Sequence, residues 1–167
     1  MASIIKVDQI QTSAGGTPTA ADLGINTSGN VVQVKTEVYG TTASSGSSSF
    51  SDSGLSITFT PLFADSILHI FVNQAGIYAD GSNTGGVDLK LFRDSTDLGT
   101  FGGRVAGDRP SSTTISAGSA CTAYVETAGS TSSRVYKTQY RAVSNVSAGY
   151  CQVYGADSNI TVMEVRP

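Results

Sequence analysis

The chemistry open to this chain is limited by its single histidine, His69, which sits mid-segment between Leu68 and Ile70. Nucleophilic catalysis needs a base within reach of a serine or cysteine, and no GxSxG turn accompanies His69, so it reads as a structural or interface residue. Two cysteines, Cys121 and Cys151, fall in predicted strands without CxxC spacing and read as buried reduced thiols. One histidine and two scattered thiols do not supply a zinc ligand set. In "DGSNTGGVD", Asp80, Asn83 and Asp88 offer oxygen ligands, but the spacing and closing Glu of a calcium loop are missing, and a hairpin connection is expected. "RVAGDRP" could pair Arg104 with Asp108 at the surface. "GTTASSGSSS" lacks the GK[ST] and following helix of a phosphate loop. Thirteen acids, most in turns, leave a two-carboxylate glycoside hydrolase as a remote alternative. Sequons at Asn26, Asn145 and Asn159 carry no weight in so Ser/Thr-rich a chain. No cofactor site is expected, and the chain reads as a non-enzyme.

The segments that would position these residues alternate with a period of two. "VVQVKTEVY" sets Val32, Val34, Thr36 and Val38 against Val31, Gln33, Lys35 and Glu37, a half-buried strand. "LSITFTP" faces Leu55, Ile57 and Phe59 one way and ends at Pro61, which lacks an amide donor. "DSILHIFVNQAGIYADG" carries Leu68, Ile70 and Val72 on one face and Ile67, His69 and Phe71 on the other. A strand apolar on both sides is either central or faces another subunit. "VDLKLFRD" turns Val87, Leu89 and Leu91 inward, and "STDLG" leads into a short strand near Leu98 and Phe101. "SACTAYVET", "RVYKTQYRAV", "GYCQVYG" and "NITVMEV" complete the set, the last placing Ile160, Val162 and Glu164 in one phase. The stretch "GTTASSGSSSFSDSG" reads as a loop with Phe50 anchored in the core, and 102–119 is a long polar loop.

No segment has helical spacing over ten residues. About eight strands joined by Gly/Ser/Asp turns predict an all-β fold: an antiparallel, jelly-roll-like β-sandwich, since a parallel sheet would need crossover helices. Residues 30–167 form the predicted sandwich and 1–29 an extended N-terminal arm whose small polar residues bury little alone. The net charge of −3 gives no basic footprint for nucleic acid. The N-terminal residues show one cation, Lys6, and no apolar run of about seven, so a secretory signal is not expected. No run approaches the roughly eighteen apolar residues of a spanning helix, so membrane insertion is not expected. Five of the seven tyrosines lie from Tyr124 onward, a residue type suited to pleated surfaces and interfaces.

The order "IIKVDQIQT", "VVQV", "LSITFTP" with "SILHIFV", "LKLFRD" with "STDLG", "VYKTQYRA" and "ITVMEV" resembles a family of small β-sandwich virion structural proteins. These are of the tail-fibre or fibre-tip type and occur in phages of cyanobacteria and other aquatic bacteria. Their matching segments read "IxKVDxIQ", "VVQV", "xITPxSxxSKILI", "LxRxxTxIG", "TYKVQ" and "ITxMEI". This chain departs from them at Asp65 and His69, where the family carries Ser and apolar or Lys residues. The resemblance implies a homotrimer located in the virion, assembled with other virion proteins, and either a tail fibre or receptor-binding module or a capsid decoration (cement) protein. In a trimer, three arms would bury Ile4, Ile5, Val7 and Ile10 together, while Ile67, His69 and Phe71 meet neighbouring subunits. The loops 44–52, 80–86 and 104–113 would face a host polysaccharide or protein, with Tyr78, Asp80, Asn83, Arg104 and Arg109 as outward contacts.

Overall fold

The computed structural model describes residues 10–19, 22–23, 28–81, 85–105, 118–143 and 146–167. Ten strands run in chain order: β1 Val31–Tyr39, β2 Ala43–Ser45, β3 Ser51–Phe59, β4 Ile67–Gly81, β5 Gly86–Arg93, β6 Thr96–Val105, β7 Gly118–Thr127, β8 Arg134–Val143, β9 Val146–Cys151 and β10 Ser158–Val165. Among the described residues the only helical piece is a 3₁₀ turn, Val153–Gly155. Two antiparallel sheets pack against each other, so the protein is all-β. One sheet runs β1–β10–β4–β9–β2 with β7 on the other side of β4, and the second runs β3–β8–β5–β6.

The first sheet bends. β4 pairs β10 over Ile67–Asn73 and β9 from Tyr78 onward, with a register shift between Gln74 and Ile77. Gly76 stands in that shift at φ 57°, and a Cβ there would lie 2.6 Å from the backbone nitrogen of Val153. Only glycine admits this close approach of the 3₁₀ turn to β4. The turn therefore splits what would otherwise be one strand into β9 and β10.

Strict alternation explains the core. Leu55, Ile57 and Phe59 of β3, Leu68, Ile70 and Val72 of β4, and Ile160 and Val162 of β10 interlock in one apolar cluster with Tyr136 and Leu91. Ile77, Ala79, Val87, Leu89, Tyr140 and Cys151 form a second cluster at the other end. Polar side chains are buried alongside. Gln74 accepts a hydrogen bond from Thr138 Oγ1 at 2.7 Å and donates to Ser158 Oγ at 3.0 Å, while Ser53 and Thr138 hydroxyls meet at 2.6 Å. Both polar atoms of the Gln74 amide find a partner, Thr138 across the sandwich and Ser158 on the neighbouring strand, which is what burial at full depth requires. Gln74→Leu should therefore lower the unfolding free energy by about 1–3 kcal/mol, because Thr138 and Ser158 each lose one buried hydrogen bond, and a urea titration would show it.

Three local expectations are corrected. The connection after Asp80 is not a hairpin, because β4 and β5 lie in different sheets; the Gly/Asn turn signal marks a reversal without saying whether the flanking strands pair. Phe50 does not anchor in the core: its ring lies 4.9 Å from Lys90 Nζ and 4.8 Å from Arg141 Cζ, on the outer side of the second sheet. The polar stretch around it is not all loop, since Ala43–Ser45 pairs with β9 and Ser51–Asp52 already pairs with β8. At Gly54, φ is 90° and the ring of Tyr39 covers the backbone, the device by which β3 shifts register against β8 between Asp52 and Ser56.

Candidate contact surfaces

Residues directly paired across antiparallel strands share a face, so the ladders define the outer side of the first sheet row by row. Val34, Thr36 and Val38 of β1 stand beside Met163, Thr161 and Asn159 of β10. Met163, Thr161 and Val165 in turn flank His69, Phe71 and Ile67 of β4. Across β4, the same three meet Val125, Ala123 and Thr127 of β7, and Asn73 meets Cys121. The rings of His69 and Phe71 stack with centroids 6.3 Å apart. Among the residues of these rows, His69 and the Cys121 thiol are the only ionisable side chains.

Its apolar members are open to solvent: Phe71 is 43%, Val125 53%, Val34 57% and Val38 60% exposed. The inward side of β1 carries Gln33, Lys35 and Glu37 instead. Thus β1 is amphipathic in the reverse sense for this chain alone, with valines out and charges toward the sandwich rim, where Lys35 Nζ donates to the Thr58 carbonyl at 3.0 Å. Four strands about 4.8 Å apart and some seven residues long make a patch on the order of 400 Å². Patches of that size on a single chain commonly have a function.

The outer side of the second sheet is the opposite. Asp52 takes Lys137 at 3.0 Å and Gln139 at 2.7 Å, Arg141 pairs with Asp88 at 2.9 Å, and Lys90 pairs with Asp97. Such partly exposed pairs add little stability, but they make this face readily solvated. A shallow cavity of about 260 Å³ opens there, lined by Asp52, Gly54, Leu55, Ser56, Val135 and Lys137.

The group closest to a catalytic constellation is Glu126. Its carboxylate accepts the Tyr136 hydroxyl at 2.5 Å and the Arg93 guanidinium, with Arg134 at 3.6 Å. Arg134 also donates to the Ala128 carbonyl at 2.7 Å, fastening the turn after β7. Burial and the adjacent Glu126 push the Tyr136 hydroxyl pKa far up, so it stays protonated and acts as a donor. These partners occupy the carboxylate oxygens, and the cluster works as a lock between β7, β5 and β8. A cavity of about 230 Å³ lies beside it, lined by Arg93, Asp94, Arg134 and three serines. Both cysteines are free; Cys121 is exposed, contrary to the buried expectation, because β7 turns it to the outer face. Burial pushes the Cys151 thiol up to about 12. Among the described residues no group of three His, Cys, Asp or Glu could hold a metal ion, and no helix is long and apolar enough to cross a membrane.

Of the expected contact residues, Ile67, His69 and Phe71 come together on the uncharged face. Ile10 is 55% exposed. Ile4, Ile5, Val7, Asn83 and Arg109 lie outside the described residues. Tyr78 and Asp80 share the outer face beyond the bend of β4. Arg104 closes β6 at φ 51°, its backbone N–H donating to Asp88 at 3.0 Å. The sequence reading missed that Tyr150 and Tyr154 gather around Tyr78, with Tyr150 directly across the ladder. The tyrosine-rich last third was the available signal.

No protein-family model matches the chain, and no curated protein matches it.

Proposed function

We propose that this protein is a non-enzymatic structural component of a phage particle, a homotrimer that docks through the uncharged outer face of its first sheet and its N-terminal arm. The observation that carries the assembly part is the contrast between the two outer faces: one laced with ion pairs, the other lined by Val34, Val38, Met163, Ile67, Phe71 and Val125. The occupant favoured is a second copy of this chain, because a face with no acid or base to match offers a partner only shape and apolar area, which identical faces around a common axis supply to one another. Burial at about 25 cal/mol per Å² over such a patch gives several kcal/mol, and standard interfaces take about 800 Å² per partner. The face alone covers roughly half of that, and the N-terminal arm would add the rest. Gly29 N–H bonds the Arg166 carbonyl and Arg166 N–H bonds the Asn30 carbonyl, so the residues just before β1 extend its ladder with the chain after β10.

Strand order supports a jelly roll. With β1 and β2 taken as one interrupted strand and β9 and β10 as another, eight strands remain, and almost every connection crosses from one sheet to the other. The virion setting rests on the resemblance of the ordered segments from "IIKVDQIQT" to "ITVMEV". Quantitative gel densitometry of purified particles tests it. A small fixed number of chains per particle, in multiples of three, is the expected result for a tail-fibre module. A copy number that tracks the shell subunits assigns a decoration protein instead, and absence from particles overturns the reading.

A further inference from the structure

Past the bend of β4, the outer face changes character. Tyr78 and Tyr150 face each other across the β4–β9 ladder with ring centroids 5.4 Å apart at 42°, and Tyr154 approaches Tyr78 edge-on at 6.4 Å and 66°. The ladder continues the row to Ser44 on β2, and Asp80 stands one step further along β4. Tyr154 is 69% exposed, the most open large hydrophobic side chain among the described residues. It is held there by construction. Gln152 and Tyr154 both take left-handed backbone, φ 57° and 59°, which residues other than glycine seldom adopt. The turn is pinned beneath them: Gln152 N–H bonds the Ala75 carbonyl at 3.0 Å, Thr42 Oγ1 donates to the Gln152 carbonyl at 2.9 Å, and the Gln152 amide donates to Ser158 Oγ at 3.1 Å. The fold thus accepts backbone strain to present a phenol ring outward beside two others.

We infer that Tyr78, Tyr150 and Tyr154 form a saccharide-binding subsite. Mutually tilted rings leave faces on which the C–H side of a pyranose can stack, and the phenol hydroxyls, Ser44 and the Asp80 carboxylate supply donors and acceptors for sugar hydroxyls. A protein partner would favour the aliphatic, uncharged surface further along the sheet; this corner is aromatic and rich in hydroxyls, the combination that suits a ligand with an apolar face and a polar rim. The inference goes beyond the assembly reading and stands apart from it.

The chain has no tryptophan, so tyrosine emission is observable, and three of its seven tyrosines are these rings. The full chain is titrated with maltohexaose, cellohexaose and chitohexaose to about 10 mM, some tenfold above a millimolar dissociation constant. A saturable emission change with at least one of them is expected. Tyr154→Gly, which relieves the left-handed strain and so keeps the fold, should weaken it about tenfold or more with an unchanged unfolding midpoint. Tyr78→Leu provides a second test on the other side of the cluster and should weaken it likewise. No response to all three sugars, or wild-type binding by both variants, overturns the inference. So does a variant that changes the mass of the assembly while leaving sugar binding intact, since the rings would then be a protein contact. A monomeric chain that binds sugar contradicts the assembly reading alone, and an oligomer that ignores all three sugars contradicts this one alone.

Discussion

Glu164→Ala is expected to cost about 3–5 kcal/mol of folding stability, since it takes the acceptor from several buried donors at about 1–3 kcal/mol each. Glu164 is fully buried at the end of β10. Its carboxylate accepts the backbone N–H of Leu62 at 2.9 Å and of Phe63 at 3.0 Å, and the Gln33 side-chain amide at 2.5 Å. One side chain thereby ties β1, β10 and the 60–66 turn together. Truncation leaves the Leu62 and Phe63 N–H groups without an acceptor and the Gln33 amide with the Thr60 carbonyl alone, whereas Glu164→Gln keeps the shape but turns an NH₂ toward N–H groups. Burial by itself would raise the Glu164 pKa, yet the hydrogen bonds from Leu62, Gln33 and Phe63 outweigh it and hold the carboxyl below its ordinary value of 4.5. The sign follows from proton linkage. A carboxyl with a depressed folded pKa stabilises the protein at pH values above 4.5, and that contribution disappears as the pH falls through the folded value. Urea midpoints measured from neutral pH down to about pH 3 should show the gap between wild type and Glu164→Gln narrowing in acid. A gap independent of pH would mean that the ionised carboxylate is not what holds the turn.

Phe71→Lys is the second large effect. Phe71 lies near the centre of the uncharged face, with Thr161 on one side and Ala123 on the other. In the isolated chain the substitution costs almost nothing, since a Lys at a 43% exposed position keeps its ammonium in water. Placed in a packed interface, it would bury an unpaired charge. The association constant should fall by about two orders of magnitude, roughly 3 kcal/mol, with the unfolding of the monomer unchanged. This separation of assembly from folding distinguishes an interface residue from a core residue.

Alternation told the inside of the sandwich from its outside wherever this chain covers its own strands. Leu55, Ile57 and Phe59, Leu68, Ile70 and Val72, and Val87, Leu89 and Leu91 all turn inward as their period implies. β1 shows where the argument stops. Its period was legible, but Val34 and Val38 point to solvent and Glu37 toward the rim, because a period of two says which residues share a face and not what covers that face. The double-sided apolarity of Ile67–Asn73 was the clue that both faces of this strand carry apolar side chains, whatever covers the outer one. Crossing between sheets was not readable, since the sequence between β4 and β5 carries the same residue types a hairpin would. The tyrosine corner was also hidden, because it depends on the left-handed pair Gln152 and Tyr154, and nothing in "YCQVYG" marks those positions as other than strand. Glu164 could have been suspected: it falls in phase with Ile160 and Val162, and a carboxylate in a core phase demands donors.

Sedimentation equilibrium of the whole chain, unmodified and as Phe71→Lys, tests the assembly most directly. Self-association of the unmodified chain to three times the mass of one chain, reduced to a single chain by the substitution, is the predicted result. A wild-type protein that stays monomeric at every concentration, or an oligomer indifferent to a charge at position 71, would contradict it.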